Sequence, residues 1–179
     1  VEEVRGSCQR VNNGIQQVAE HLLRFRGMGA SAVLAITSNG RLHVASTGDC
    51  RGYLFREDQV ERLTMDQSLF QLLVDAGLAH DKQQSVRSRR MLWSCLGAPK
   101  FESPEVRSVE LRHSDRLVLV TNGVTRVVKD GLLARLCATS QSIGEMSANV
   151  VNAARTLRTK DDATCVAVSF DSVGSEIQQ

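Results

Sequence analysis

Strand-like apolar runs and helical patterns in this chain are grouped separately instead of alternating one for one, and that grouping restricts the fold more than any other feature. Residues 32–37 are an apolar run, Ser38-Asn39-Gly40 carries the Asn-Gly hairpin signal, and residues 41–46 alternate Leu42, Val44 and Ser46 against His43 and Ala45. Residues 52–56 and 59–63 repeat the arrangement around Glu57-Asp58. The spacing thus predicts a four-strand meander that runs into Asp66 and a helix over 68–76, stopped by Gly77. Residues 105–111 and 116–120, joined across 112–115, predict a further hairpin, and residues 163–170 a last strand. Helical spacing marks residues 7–25, with Val11, Ile15, Val18 and Leu22 as the apolar stripe, then 131–138, then 143–157 with Met146, Val150, Ala153 and Leu157. The expectation is an α+β fold layered from antiparallel sheets.

At 179 residues the chain has the size of one domain, expected over residues 1–171 with a flexible tail at 172–179. The pattern dissolves into polar and basic residues over 78–90, which predicts a mobile flap. With 22 basic and 20 acidic residues, one Trp and one Tyr, the chain lacks the basic-aromatic interleaving of nucleic-acid binders, so no nucleic-acid partner is expected. Its five cysteines are odd in number, widely spaced and set in apolar runs. That excludes a disulfide framework and a CxxC metal site and predicts a reducing, cytoplasmic setting. No apolar stretch approaches the roughly 20 residues of a membrane span, so no membrane partner is expected. Val1, without an initiator Met or a signal segment, reads as an internal start.

Three short turns adjoin the strand runs: Thr47-Gly48-Asp49-Cys50-Arg51, Thr121-Asn122-Gly123 and Lys160-Asp161-Asp162-Ala163-Thr164. Carboxylates at strand ends are well placed to converge on a cation, and Mg²⁺ and Mn²⁺ take hard oxygen ligands in a strongly negative surround. The middle turn offers an amide at Asn122. It keeps a carbonyl oxygen without the charge, so weakened metal binding is expected.

These residues resemble the type-2C metal-dependent serine/threonine protein phosphatases, the PPM family, and in particular its compact bacterial members. Gly27-Met28-Gly29-Ala30-Ser31-Ala32 is similar to the family's Gly-Met-Gly-Thr-Thr entry to a core strand, and Thr47-Gly48-Asp49-Cys50-Arg51 to its Val-Gly-Asp-Ser-Arg turn. Leu63-Thr64-Met65-Asp66-Gln67-Ser68 resembles Leu-Thr-x-Asp-His-Ser, and Arg89-Arg90-Met91-Leu92-Trp93-Ser94-Cys95-Leu96-Gly97 an Arg-rich stretch closing in Leu-Gly. The segment 111–123 resembles a strand ending in Ser-Asp-Gly, and Asp161-Asp162-Ala163-Thr164 the terminal Asp-Asn-x-Thr. The resemblance spans roughly residues 10–170 and implies a sandwich of two antiparallel β-sheets flanked by helices, with the N-terminal part missing.

It also implies two Mg²⁺ or Mn²⁺ ions and a metal-bound hydroxide that attacks phosphoserine or phosphothreonine. Carried over residue by residue, Asp161 is a metal ligand, Asn122 a degenerate ligand position, and Asp162 an added carboxylate beside them. Asp49, Arg51 and Gly123 support the site. Gln67 in place of His and Cys50 in place of Ser are further departures, and the family's Asp-Gly-x-x-Gly motif does not occur in this chain. The missing motif is open to two readings, a position upstream of Val1 or its loss, and Asn122 is either natural or an engineered exchange.

Each residue has a blander alternative. For Asp161 the alternative is a solvated turn carboxylate, for Asp49 an Asx-type turn residue, and for Arg51 the partner of a nearby carboxylate. Arg87, Arg89 and Arg90 with Lys82 form a basic run suited to phosphate or an acidic peptide, or simply solvated. His43 and His113 read as structural, and Cys50 lacks a His placed to activate it. The leading expectation is a pseudophosphatase, a binding or regulatory module for phosphorylated or acidic partners. The alternative is an active Mg²⁺/Mn²⁺-dependent serine/threonine phosphatase whose remaining ligands lie upstream, and a third reading is an oligomerisation domain.

Overall fold

The computed structural model describes residues 1–57, 59–78 and 90–171. Helix α1 spans Glu2–His21 and a 3₁₀ turn Leu23–Phe25. Strands β1 (Ala32–Ser38), β2 (Arg41–Thr47), β3 (Arg51–Arg56) and β4 (Gln59–Arg62) precede helix α2 (Leu69–Asp75). Then come β5 (Val106–Glu110), β6 (Asp115–Val120), helices α3 (Asn122–Thr125), α4 (Asp130–Thr139) and α5 (Ile143–Thr156), and β7 (Cys165–Phe170). The strands form two antiparallel sheets with flanking helices, one ordered β1-β2-β5 and one β4-β3-β6-β7. The chain divides into two compact units, residues 1–32, 45–49 and 65–106 in the first and 33–44, 50–64 and 107–179 in the second.

The second unit explains why its central strands read as unbroken apolar runs. Side chains alternate across a strand with period two, and here both faces of the four-stranded sheet are covered. Tyr53, Phe55, Val118 and Val120 pack with Val124, Val128, Leu133, Cys137, Met146, Val150 and Ala154 of the helical side. Leu54 and Leu117 point the other way, into a cluster with Leu42, Val44, Leu63 and Leu111. Met146, Val150 and Ala154 stand one turn apart on α5 and are completely buried, whereas Leu157, expected on that stripe, lies past the helix end and is 46% exposed.

In the first unit, α1 presents a different face from the one its apolar periodicity predicts. Val4, Cys8 and Asn12 are buried, while Val11, Val18 and Leu22 are 42–51% exposed. The reason is polar: the Asn12 side chain accepts a hydrogen bond from the Gly97 N–H at 2.8 Å, and Gln16 donates to the Ala98 carbonyl at 2.7 Å. Two backbone acceptor and donor needs in the 96–98 segment thus rotate the helix toward its amides. The expected helix forms as α2, with Ser68 Oγ capping it by accepting the Gln71 N–H at 3.2 Å and Gly77, the expected stop, taking a φ of 69° past the end.

Two pairings differ from expectation. The predicted four-strand meander is divided, β2 pairing in one sheet and β3 with β4 in the other, because the Gly48 turn (φ 83°) carries the chain between sheets instead of reversing it in one. The predicted hairpin of β5 and β6 does not form either. Each strand joins a different sheet, and Asp115, expected in the connection, is the buried first residue of β6. The flap, apart from residues 78 and 90, and the tail from residue 172 lie outside the described residues.

Candidate functional site

In the second unit, Val120 of β6 stands in register with both Arg51 of β3 and Cys165 of β7. The segments beyond those strand ends must therefore meet. Thr121 N–H donates to the Thr164 carbonyl at 3.1 Å, Thr164 N–H donates to Thr121 Oγ1 at 2.9 Å, and Thr121 Oγ1 donates to the Asp162 carbonyl at 3.2 Å. Gly123 completes the seam: a Cβ there would lie 2.2 Å from the Asp162 carbonyl oxygen, so only glycine fits. The structure thus brings Asn122, Gly123, Asp161 and Asp162 together. Asp162 is exposed and Asn122 half-buried.

Asn122 opens the single-turn helix α3, and its carbonyl accepts the Arg126 N–H at 3.0 Å. The Arg126 guanidinium is ion-paired and hydrogen-bonded to the Asp161 carboxylate, with the two side chains 26% and 32% exposed. The bland alternative of a solvated Asp161 is therefore replaced by a paired one. Arg126 is the residue that sequence reasoning missed. Its only local signal is a lone cation within Val124-Thr125-Arg126-Val127-Val128, and its partner is 35 positions away.

Arg51 follows its structural alternative. It donates to Asp130 Oδ1 at 3.4 Å and to the Tyr53 hydroxyl at 3.3 Å, and Tyr53 donates to the same Asp130 oxygen at 2.9 Å. Burial pushes the Tyr53 phenol up to about 12, Arg51 opposing and Asp130 assisting, so Tyr53 serves as a neutral donor across the physiological range.

Asp49 belongs to the first unit. It is 5% exposed and accepts from Ser31 Oγ at 2.9 Å, while its own N–H donates to the same Ser31 Oγ at 3.3 Å. Gln67, at the position where histidine was expected, returns a reciprocal pair: its side-chain oxygen accepts the Gly48 N–H at 2.9 Å and its N–H donates to the Gly48 carbonyl at 2.7 Å. These bonds give Asp49 a turn-holding role. Burial and then the Asp49 charge raise the Cys95 thiol, which keeps it protonated at neutral pH, and Cys50 is buried. Gly48→Ala places a Cβ 2.1 Å from Ser31 Oγ in a backbone conformation at φ 83°. A loss of about 1–3 kcal/mol in a thermal or denaturant melt is expected, since the new methyl must displace the hydroxyl that holds Asp49.

Arg90 is exposed, whereas Arg87, Arg89 and Lys82 lie outside the described residues. His43 is structural, its Nδ1 hydrogen-bonded to Ser108 Oγ at 2.7 Å.

The Asn122–Asp161 seam offers a divalent ion few charged donors, and the Asp162 carboxylate beside it is exposed. Asp161 is engaged by a guanidinium, Asn122 brings no charge, and among the described residues no group of three His, Cys, Asp or Glu is arranged to hold a metal.

Comparison with known proteins agrees with this architecture. The family model for stage II sporulation protein E (SpoIIE) matches residues 6–171. The chain is 27% identical over 163 residues to the serine/threonine phosphatase stp of Listeria innocua, covering 90% of this chain and 65% of the relative. It is 29% identical over 120 residues to the serine/threonine protein phosphatase PstP of Mycobacterium tuberculosis, covering 66% of this chain and 23% of the relative. Among solved structures, a bacterial serine phosphatase superposes with a TM-score of 0.87 at 25% identity, covering 94% of this chain and 68% of that one. The chain thus spans just under two thirds of the Listeria relative's length. No described helix is long and apolar enough to cross a membrane. The match over residues 6–171 and the two antiparallel sheets with their flanking helices lead to one conclusion: the chain belongs to the SpoIIE family and carries the bacterial PPM-type phosphatase fold.

Proposed function

We propose that this PPM-type serine/threonine phosphatase domain works as a pseudophosphatase, a regulatory module that recognises a phosphorylated or acidic protein segment without hydrolysing it at a useful rate. The observation that carries this reading is the neutral Asn122 amide in the turn that meets Asp161-Asp162. A two-metal hydrolase needs several carboxylates to offset two dications. Each 1.36 kcal/mol lost from transition-state stabilisation slows the reaction tenfold, so a missing ligand charge that costs several kcal/mol lowers turnover by orders of magnitude. Weak binding of Mg²⁺ or Mn²⁺ belongs to the same proposal. The reducing, cytoplasmic setting that goes with it is supported by five free thiols.

A second reading, an active Mg²⁺/Mn²⁺-dependent serine/threonine phosphatase, is favoured by the names of the relatives, which are themselves serine/threonine phosphatases. One experiment separates the two. Hydrolysis of p-nitrophenyl phosphate and of a phosphothreonine peptide is measured at millimolar Mn²⁺, beside binding of the same peptide by fluorescence anisotropy. Binding without turnover above the buffer blank is the expected result. Turnover by the unmodified chain establishes the hydrolase instead.

A further inference from the structure

We infer that Arg126 is a built-in counter-ion, a tethered monovalent cation that neutralises Asp161 and sets the seam against divalent metals. The inference deepens the pseudophosphatase reading and rests on it, since it says how Asp161 is neutralised in the altered site.

Three observations lead there. Asp161 sits on the short segment before β7, pressed against the Thr121–Gly123 turn, so its carboxylate is partly desolvated and needs a positive partner. Arg126 supplies that partner from the same chain, four residues after Asn122 and held in place by the Arg126 N–H to Asn122 carbonyl bond. Residues four apart on a helix share a face, so the amide and the guanidinium come from one side of the same turn. The Asp161 carboxylate is thus met by a guanidinium from its own chain, with an uncharged amide at 122 and the Asp162 carboxylate turned to solvent.

A tethered guanidinium competes with any free ion at a high effective concentration, because it pays no translational entropy on binding. A divalent ion entering at Asp161 must either eject Arg126 or sit beside it. Ejection forfeits a charge-assisted hydrogen bond, and co-occupancy sets a monovalent cation against a dication within a few Å. Both penalties work against Mn²⁺ and both vanish with the arginine. Arg126 is therefore a specificity-determining residue for cations, separate from the neutral amide at 122.

The test reads Mn²⁺ affinity directly, from the electron paramagnetic resonance signal of free aqueous Mn²⁺ titrated with the chain. R126Q and R126A are compared with the unmodified chain, and R126Q/D161N serves as the site control. Circular dichroism melts establish that each variant is folded, and R126Q, which retains a hydrogen-bonding side chain, is the variant to read where R126A melts. Mn²⁺ binding at least about tenfold tighter in R126Q, and abolished again in R126Q/D161N, is the expected result. Affinity in folded R126Q no higher than in the unmodified chain overturns the inference, as does a gain that survives D161N. Failure of the pseudophosphatase reading is distinct, because it appears as phosphate hydrolysis by the unmodified chain and not as the sign of the R126Q shift.

Discussion

Arg56→Ala is expected to lower the stability of the second unit by about 3–5 kcal/mol at neutral pH, the range for removing one partner of a buried ion pair. Asp115 is 1% exposed, and Arg56 grips it with both arms of its fork, Nε to Oδ1 at 2.8 Å and Nη2 to Oδ2 at 2.7 Å. The Arg112 N–H adds a third bond to Oδ2 at 2.8 Å, and Arg56 Nη2 also donates to the Glu110 carbonyl at 2.7 Å. Burial alone pushes the Asp115 carboxyl up, but the Arg56 hydrogen bonds, the Arg112 N–H and the two guanidinium charges outweigh it and hold the group below the usual carboxylate range. A carboxyl depressed in the folded state contributes stability above its unfolded value near 3.9, and that contribution fades as pH falls through the folded value. In Arg56→Ala the desolvation stays while its main compensation goes, so the Asp115 carboxyl must rise. The loss should therefore be large at pH 7 and shrink on acidification as Asp115 accepts a proton. Urea melts of both proteins at pH 7 and pH 4 check this. A deficit under about 1 kcal/mol at pH 7, or one that grows toward pH 4, contradicts it.

That pair also marks where the sequence stops being informative. Strand positions are legible because period-two alternation and the Asn39-Gly40 turn are local signals: Asn39 takes φ 50° and Gly40 φ 69° as such a turn requires. Sheet membership is not local. Nothing in Arg112-His113-Ser114-Asp115 announces that β5 and β6 separate, or that Asp115 is buried against Arg56 reaching from β3. The α1 face differs from the expected one for a related reason: apolar periodicity cannot show that the Gly97 N–H and the Ala98 carbonyl draw Asn12 and Gln16 inward. At the seam, the short motifs at Asn122-Gly123 and Asp161-Asp162 fall side by side, since a strand end and the turn attached to it travel together. Arg126 escaped notice because an ion pair between residues 35 positions apart leaves no mark on the sequence around either one.

Gly123→Ala should lower stability by about 1–3 kcal/mol and loosen the seam that holds Asn122 against Asp161. Its backbone takes no positive φ, so strain of the Gly48 kind is not involved, and the objection to a side chain is purely spatial. A methyl there would meet the Asp162 carbonyl oxygen at 2.2 Å and its carbon at 2.6 Å, with the Asp161 carbonyl oxygen at 3.0 Å. All three are backbone atoms, and Thr121 Oγ1 anchors the first of them, so no rotamer change relieves the contact. The Asp161-Asp162 segment has to move, and Asp161 moves with it relative to Arg126. Gly131→Ala provides the internal comparison, because a Cβ there meets nothing within 4 Å and the residue lies in α4. Alanine in a helix removes the backbone entropy cost of glycine, so Gly131→Ala should gain about 0.5–1 kcal/mol. Opposite signs for two glycine-to-alanine exchanges in one unit, read from paired thermal melts, are the expected outcome. If Gly123→Ala melts with or above the unmodified chain, the two turns are not in contact, and the Asn122–Asp161 seam loses its structural basis.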